Sequence, residues 1–187
     1  WNTAVSFGVK DTDALVDALL KARGIVSKEQ RDSFLLDGDG VWHDPFLFAD
    51  MKKAVDIIVD YINSNGKILV YGDYDCDGVT ATSILVRYFR SHNCNVDYIV
   101  PHRAEHGYGL TENILDKVLE KSPDLLITVD CGITNIDTVK IIRDKGVKVI
   151  VSDHHTVKEI LPDADAVICA KREDNTYPFT ELCGAGV

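Results

Sequence analysis

The sequence predicts an α/β protein: a doubly wound, mostly parallel five-stranded sheet with helices on both faces, preceded by N-terminal helices. Three observations lead there. From residue 67 onward, short β-branched apolar runs alternate with loops and then with helix-length stretches, and repeated β-α units imply a parallel sheet between helical layers. Before residue 67 the apolar residues recur only at helical spacing. The chain of 187 residues, 45% apolar and 27% charged, is long enough to bury a core without disulfides or a structural metal.

Taken in order, Asp11 to Arg23 places Ala14, Leu15, Ala18, Leu19 and Ala22 on one helical face and stops at Gly24. Ser27 with Gln30 three residues on reads as the capped start of a second, short helix. After a polar loop around Asp37 to Gly40, a third helix is expected from Phe48 to Ile62, ending near Asn65-Gly66. Strands are expected at 67–71, 96–100, 125–129, 147–151 and 166–169, with helices at 79–92, 111–121 and 135–145. The expected division is a helical segment, 1–65, packing on a core domain, 66–187.

Composition excludes some classes. No apolar run approaches the roughly 18 residues needed to cross a bilayer, and the N-terminus lacks a signal-peptide layout. No membrane partner is expected, and the expected compartment is the cytoplasm. The five cysteines (Cys76, Cys94, Cys131, Cys169, Cys183) are odd in number and never in a Cys-x-x-Cys arrangement, so neither a disulfide framework nor a zinc cluster is indicated. A net charge of -10 disfavours a polyanionic partner unless carboxylates hold cations that reverse the local field. The chain opens without Met and stops at Gly184-Ala185-Gly186-Val187, so it is expected to be part of a longer protein.

In doubly wound sheets ligands sit outside the carboxyl ends of the strands. There the sequence places Gly72-Asp73-Tyr74-Asp75-Cys76-Asp77-Gly78, Pro101-His102-Arg103, Asp130-Cys131-Gly132 and Ser152-Asp153-His154-His155. Asp75 and Asp77 can aim at one locus, where a cation would relieve their repulsion; a solvated Asp-rich turn is the plain alternative. An EF-hand is disfavoured because Val79-Thr80-Ala81 starts a helix where further oxygen ligands are required. Asp130 reads either as a ligand or as a cap for the helix near Thr134 or Asn135. Asp153-His154-His155 at a strand end adds imidazole ligands, with Asp153 able to orient or co-ligate.

Together Asp75, Asp77, Asp130 and His154 offer ligands for two hard divalent ions, manganese or magnesium, that could drive an in-line displacement at phosphorus. Arg103 is suited to a substrate phosphate or is simply a surface arginine, and Gly107-Tyr108-Gly109 can bring backbone amides to an anion. Cys76 and Cys131 are not expected to act as nucleophiles, since neither has a base paired with it in sequence.

These motifs resemble the DHH phosphoesterase superfamily, which is named for the pattern seen in Asp153-His154-His155, with Asp75-x-Asp77 and Asp130 similar to its earlier metal motifs. Within it the chain is most similar to the RecJ-type exonucleases. The residues that carry this are Tyr71 to Thr80, Pro101-x-Arg103 with Gly107 to Leu110, Val129 to Ile133, and Tyr177-Pro178-Phe179 with Cys183 to Val187; Asp44-Pro45 and the helix of Met51 and Ala54 extend it upstream.

The resemblance implies a 5′-to-3′ exonuclease on single-stranded DNA, dependent on manganese or magnesium, acting in recombination and repair. It implies metal held by Asp75, Asp77, Asp130 and His154, catalysis by Asp77, Asp130, His154 and His155, and substrate phosphate held by Arg103, His155, Gly107 and Tyr108. Asp73 and Asp153 are expected to stand behind these ligands and orient them. It also implies that strand one lies between strands two and three. Cys76 departs from the usual Ala, and Cys169-Ala170 from the usual Asn-Pro. A further Asp ligand, the DHH-associated domain and an oligonucleotide-binding fold are expected beyond this chain. The alternatives are another DHH phosphodiesterase, acting on oligoribonucleotides or cyclic dinucleotides, and a non-catalytic binding scaffold.

Overall fold

A computed structural model describes residues 12–35, 43–102, 107 and 109–187. The chain divides into two compact units, Trp1–Trp42 and His43–Val187. In the first, α1 (Thr12–Ala22) and α2 (Lys28–Leu35) form where the apolar spacing predicts them. The capping box at α2 is closed in both directions. The Gln30 amide donates to Ser27 Oγ at 3.1 Å, and the Ser27 amide donates to Gln30 Oε1 at 3.1 Å, satisfying two otherwise orphaned donors.

The second unit begins with a short turn, Pro45–Leu47, and α3 (Met51–Asn63). Then follow β1 (Ile68–Gly72), α4 (Cys76–Ser91), β2 (Val96–Ile99), α5 (Leu115–Glu120), β3 (Leu125–Val129), α6 (Ile136–Asp144), β4 (Lys148–Ser152) and β5 (Ala166–Ile168). The five strands pair only in parallel, in the order β2-β1-β3-β4-β5. Each strand falls within a residue or two of its sequence-based expectation.

Alternation along the strands feeds two cores. Leu69, Tyr71, Leu126, Val149, Val151 and Val167 point to one face, beside Val118 of α5 and Val139 and Ile142 of α6. Ile68, Val70, Leu125, Ile127, Val129 and Ile150 point to the other, beside Ala54 of α3 and Ala81, Val86 and Phe89 of α4. Because both faces are covered, β1 and β3 are buried at every position and, apart from Thr128 and the Tyr71 hydroxyl, carry no polar side-chain group, which is why they read as near-continuous apolar runs.

The order reverses at β1 and β3, and this reversal places the site. From β1 the chain crosses to β2 on one side, while β3 continues to β4 on the other, so the carboxyl ends of β1 and β3 flank the topological switch point. The registers Gly72↔Val129 and Val129↔Ser152 bring the ends of β1, β3 and β4 level. Asp73, Asp130 and Asp153 are the next residues of their strands.

The segment after β5 returns along α3. Arg172, only 7% exposed, donates from Nη1 to Asp50 Oδ2 at 2.8 Å and to the Val167 carbonyl, and from Nε and Nη2 to Asp174 at 2.9 and 2.7 Å. Asp50 also accepts the Val167 amide at 3.1 Å, Phe48 stacks on Tyr177 at 4.1 Å, and Thr176 Oγ1 donates to the Leu47 carbonyl at 2.7 Å. This clamp fixes where the chain starts its path toward Cys183–Val187.

Arg172→Ala is therefore expected to destabilise the second unit by about 2–4 kcal/mol, somewhat below a fully buried pair because Asp50 keeps partial solvent contact. Arg172→Lys should recover only part, since an ammonium cannot reproduce the two-pronged contact with Asp174. Urea midpoints of the three proteins test this; equal midpoints would remove the clamp from the stability of the fold.

Candidate metal centre

Four backbone devices deliver the acidic and imidazole groups. After β1, Asp75 caps α4: its Oδ1 accepts the amides of Asp77 and Gly78 at 2.9 and 3.0 Å. That cap starts the helix at Cys76, three residues before the position expected from sequence, and puts Asp77 in the first turn. After β3, Asp130 sits at φ 60, a left-handed conformation that Asp tolerates better than most residues. It does not cap the following helix, whose cap position is Asn135.

After β4, Asp153 is wholly engaged. Its Oδ2 accepts the Ile133 amide at 2.9 Å, and its Oδ1 accepts the amides of His154 and His155 at 2.7 and 3.1 Å and faces His155 Nδ1 at 2.7 Å. It thus holds the ring of His155 and the backbone amides of both histidines.

The fourth device is distant in sequence. The amides of Gly184 and Ala185 donate to Asp77 Oδ2 and Oδ1 at 2.6 and 2.7 Å. Gly184 lies so close to Asp130 that a Cβ there would come within 2.4 Å of Asp130 Oδ1. Only glycine lets the backbone pass between the two acids.

The groups converge on Asp130, which is 1% exposed. Ligand atoms of Asp130, His154 and His155 lie within 4.8 Å of one another, and so do those of Asp73, Asp75 and Asp130. His154 Nε2 stands 3.1 Å from Asp130 Oδ1 and 3.7 Å from Asp77 Oδ2. The 3.1 Å approach is not aligned as a hydrogen bond, for Asp130 Oδ1 and Asp73 Oδ1 are buried and accept none from any described residue. Buried carboxylate oxygens without donors are costly, and a cation is the partner that oxygen and imidazole donors of this kind suit.

Electrostatics agrees. Burial first, then the charges of Asp77 and Asp75, push Asp130 up to about 7, and burial with the charge of Asp75 raises Asp73. Asp77 moves the opposite way: burial opposes it, but the amides of Ala185 and Gly184 and the nearby His154 hold its carboxyl low. Cys131 is buried, which pushes its thiol well above the ordinary range and removes it as a nucleophile at neutral pH.

Sequence reasoning set Asp73 behind the ligands, whereas the geometry groups it directly with Asp75 and Asp130. Gly184 and Ala185 were not singled out as site residues; no local periodicity marks them, and the cues were a run of small residues and the family resemblance of Cys183 to Val187. Arg103 and Tyr108 lie outside the described residues, and Gly107 is exposed with φ 76.

A parallel sheet with acids and imidazoles massed at its switch point is an arrangement able to hold divalent cations, and comparison with known proteins gives its family. The chain belongs to the DHH family: the model of that family's N-terminal domain matches residues 67–187. It is 40% identical to the single-stranded-DNA-specific exonuclease RecJ of Bacillus subtilis over 92% of this chain and 22% of that protein, and 36% identical to RecJ of Escherichia coli over 92% of this chain and 30% of that protein.

Among solved structures it is similar to exonuclease RecJ bound to manganese, with a TM-score of 0.70 and 34% identity over 78% of this chain and 37% of the other. It is also similar to RecJ of Thermus thermophilus in complex with Mn2+, with a TM-score of 0.60 and 33% identity over 73% of this chain and 19% of the other. The chain spans less than a third of the length of these curated relatives.

Two outcomes follow from the geometry. Without metal, the folded-state pKa of Asp130 lies above its ordinary 3.8, so the folded chain holds the extra proton and loses stability as pH rises from about 4 through about 7. Asp130→Asn should flatten that decline and be the more stable protein at pH 7.5 in chelator, by on the order of 1–3 kcal/mol, while manganese should stabilise only the parent. Parallel unfolding curves at pH 5 and 7.5 would contradict it. Separately, Gly184→Ala should weaken manganese binding by roughly 10- to 100-fold in calorimetric titration, because the loop must withdraw from Asp77 and Asp130. Unchanged affinity would show that the loop does not shape the centre.

Proposed function

We propose that the chain is the catalytic core of a metal-dependent phosphodiester hydrolase that removes nucleotides from the 5′ end of single-stranded DNA in recombination and repair. Residues 66–187 form its phosphoesterase domain, preceded by the helical segment 1–65, and the enzyme works in the cytoplasm with its thiols reduced. The observation that carries this reading is the convergence of two ligand groups on one buried aspartate, Asp130, at the switch point of the sheet. The names of its relatives supply the substrate: single-stranded DNA is what they are specific for.

Asp75, Asp77, Asp130 and His154 would hold two divalent ions, manganese or magnesium, with Asp73 close enough to share them. Such ions lower the pKa of a bound water and neutralise charge developing on a phosphate. The chain's own residues do the rest. Asp153 fixes the ring of His155 through Nδ1, so the ring is held in one orientation from which it can pass a proton at a phosphate oxygen. The Gly184 and Ala185 amides fix Asp77 and keep it ionised, ready to bind cations at neutral pH.

Arg103, with Gly107 and Tyr108, binds the substrate phosphate, the guanidinium pairing two oxygens. A chain of net charge -10 offers no broad basic surface, so affinity for the strand depends on the ions and on parts that the longer relatives possess.

The test is manganese-dependent digestion of 5′-labelled and 3′-labelled single strands, duplex DNA and short RNA, by the chain alone and joined to the remaining domains of a longer relative. Mononucleotides should appear first from the 5′ end of single-stranded DNA, and Asp130→Ala should slow their release by at least about a hundredfold. Digestion from the 3′ end, or full activity in Asp130→Ala, would refute the reading.

A further inference from the structure

Next to the metal centre lies a cavity of about 270 Å³, and His155 and Asp153 form the wall the two share. Its other sides come from the β3–α6 loop, with Gly132, Thr134 and Asn135, and from Thr156 after β4. The chemistry of this lining differs from that of the centre. Among the described residues no lysine or arginine lines it, and both oxygens of Asp153 are already engaged by backbone amides and the His155 ring.

What remains are neutral polar groups. The hydroxyls of Thr134 and Thr156 and the carboxamide nitrogen of Asn135 form no hydrogen bond among the described residues. Asn135 is held in place by its other end, where Oδ1 accepts the Leu110 amide at 3.3 Å. Gly109, at φ 73, passes so near that a Cβ would stand 3.0 Å from Asn135 Oδ1. Leu110 is itself buried, and the Tyr71 hydroxyl donates to the Gly109 carbonyl at 2.9 Å. The carboxamide is thus anchored to the core through its oxygen and presents its nitrogen to a ligand.

We propose that this cavity receives the nucleoside joined to the scissile phosphate, with Thr134, Asn135 and Thr156 meeting the polar edges of its sugar and base. The inference rests on the phosphodiesterase reading of the adjoining centre. A phosphate would require cationic partners, which the described lining lacks, whereas a neutral sugar and base require donors and acceptors of the kind it presents. Size points the same way: ligand pockets usually run to roughly 300–1,000 Å³, and one at the low end takes a single nucleoside rather than an oligonucleotide. Connectivity agrees as well, because His155 borders both places, so a group bonded to a phosphate at the metal centre can reach this cavity. The described lining offers no wide aromatic shelf, so the contact reads the presence of a nucleoside and discriminates little among bases.

The test uses the isotope-labelled chain in nuclear magnetic resonance. Metal-free titration with 2′-deoxyadenosine should shift the amides of Gly132, Thr134, Asn135 and Thr156, and inorganic phosphate should not. The double variant Thr134→Val with Thr156→Val, which preserves shape and removes both hydroxyls, should weaken the nucleoside by roughly fivefold or more while its manganese affinity stays that of the parent. Asn135→Asp, which retains the oxygen that anchors Leu110, should also weaken it. Absent shifts, equal shifts with phosphate, or unchanged affinity in both variants would overturn the proposal. Manganese titration separates the two readings. Manganese binding without nucleoside shifts refutes the cavity alone, and nucleoside shifts without manganese binding leave the cavity standing and refute the metal reading.

Discussion

Like charge held together is the constraint on which this structure turns. Asp73, Asp75, Asp77 and Asp130 crowd one edge of the sheet, and burial makes their repulsion harder to relieve with water. The fold answers by assigning each carboxylate different partners. Asp75 spends an oxygen on the start of α4, and Asp77 has both oxygens on the amides of a returning loop. Asp130 and Asp73 each keep an oxygen with no donor among the described residues. The result is a graded set, from an aspartate held ionised to one that favours a proton until a cation arrives. That gradation is what the proposed binding of divalent cations would draw on.

The rest of the second unit supports this arrangement. Parallel strands covered on both faces supply a rigid frame, so the ends of β1, β3 and β4 stay level and their next residues converge. The clamp of Asp50, Arg172 and Asp174 lies away from the acids, yet it determines the path by which the chain returns to Asp77. Fold stability and site geometry are coupled through that path. The loop that carries Asn135 is likewise tied to the core, through Leu110 and Tyr71.

Much of this was legible in the chain. The strands were visible because double burial makes them apolar runs of β-branched residues, and α2 because Ser27 and Gln30 form a complete local signal. Asp75, Asp130, His154 and His155 stood out because strand ends are where such sheets bind ligands. Less was visible where one side chain does two things. Asp75 caps α4 and so draws its start back to Cys76, a choice that helical periodicity, read from Val79, does not register. Asp130 looked equally like a helix cap, but it stands at φ 60 and the cap position falls to Asn135.

By itself the sequence determined which elements form, in what order, and which residue types arrive at one edge, since these follow from local periodicity, capping and the two-residue alternation of strands. Tertiary structure alone decided how those residues share charge. The contact between Asp77 and the Gly184 amide spans 107 positions, and the glycine is required only because Asp130 of a different strand lies against it. The cavity beside His155 likewise exists only once the loops after β3 and β4 are side by side. Long-range packing sets these distances, and a carboxylate's behaviour depends on distance and burial more than on its neighbours in sequence.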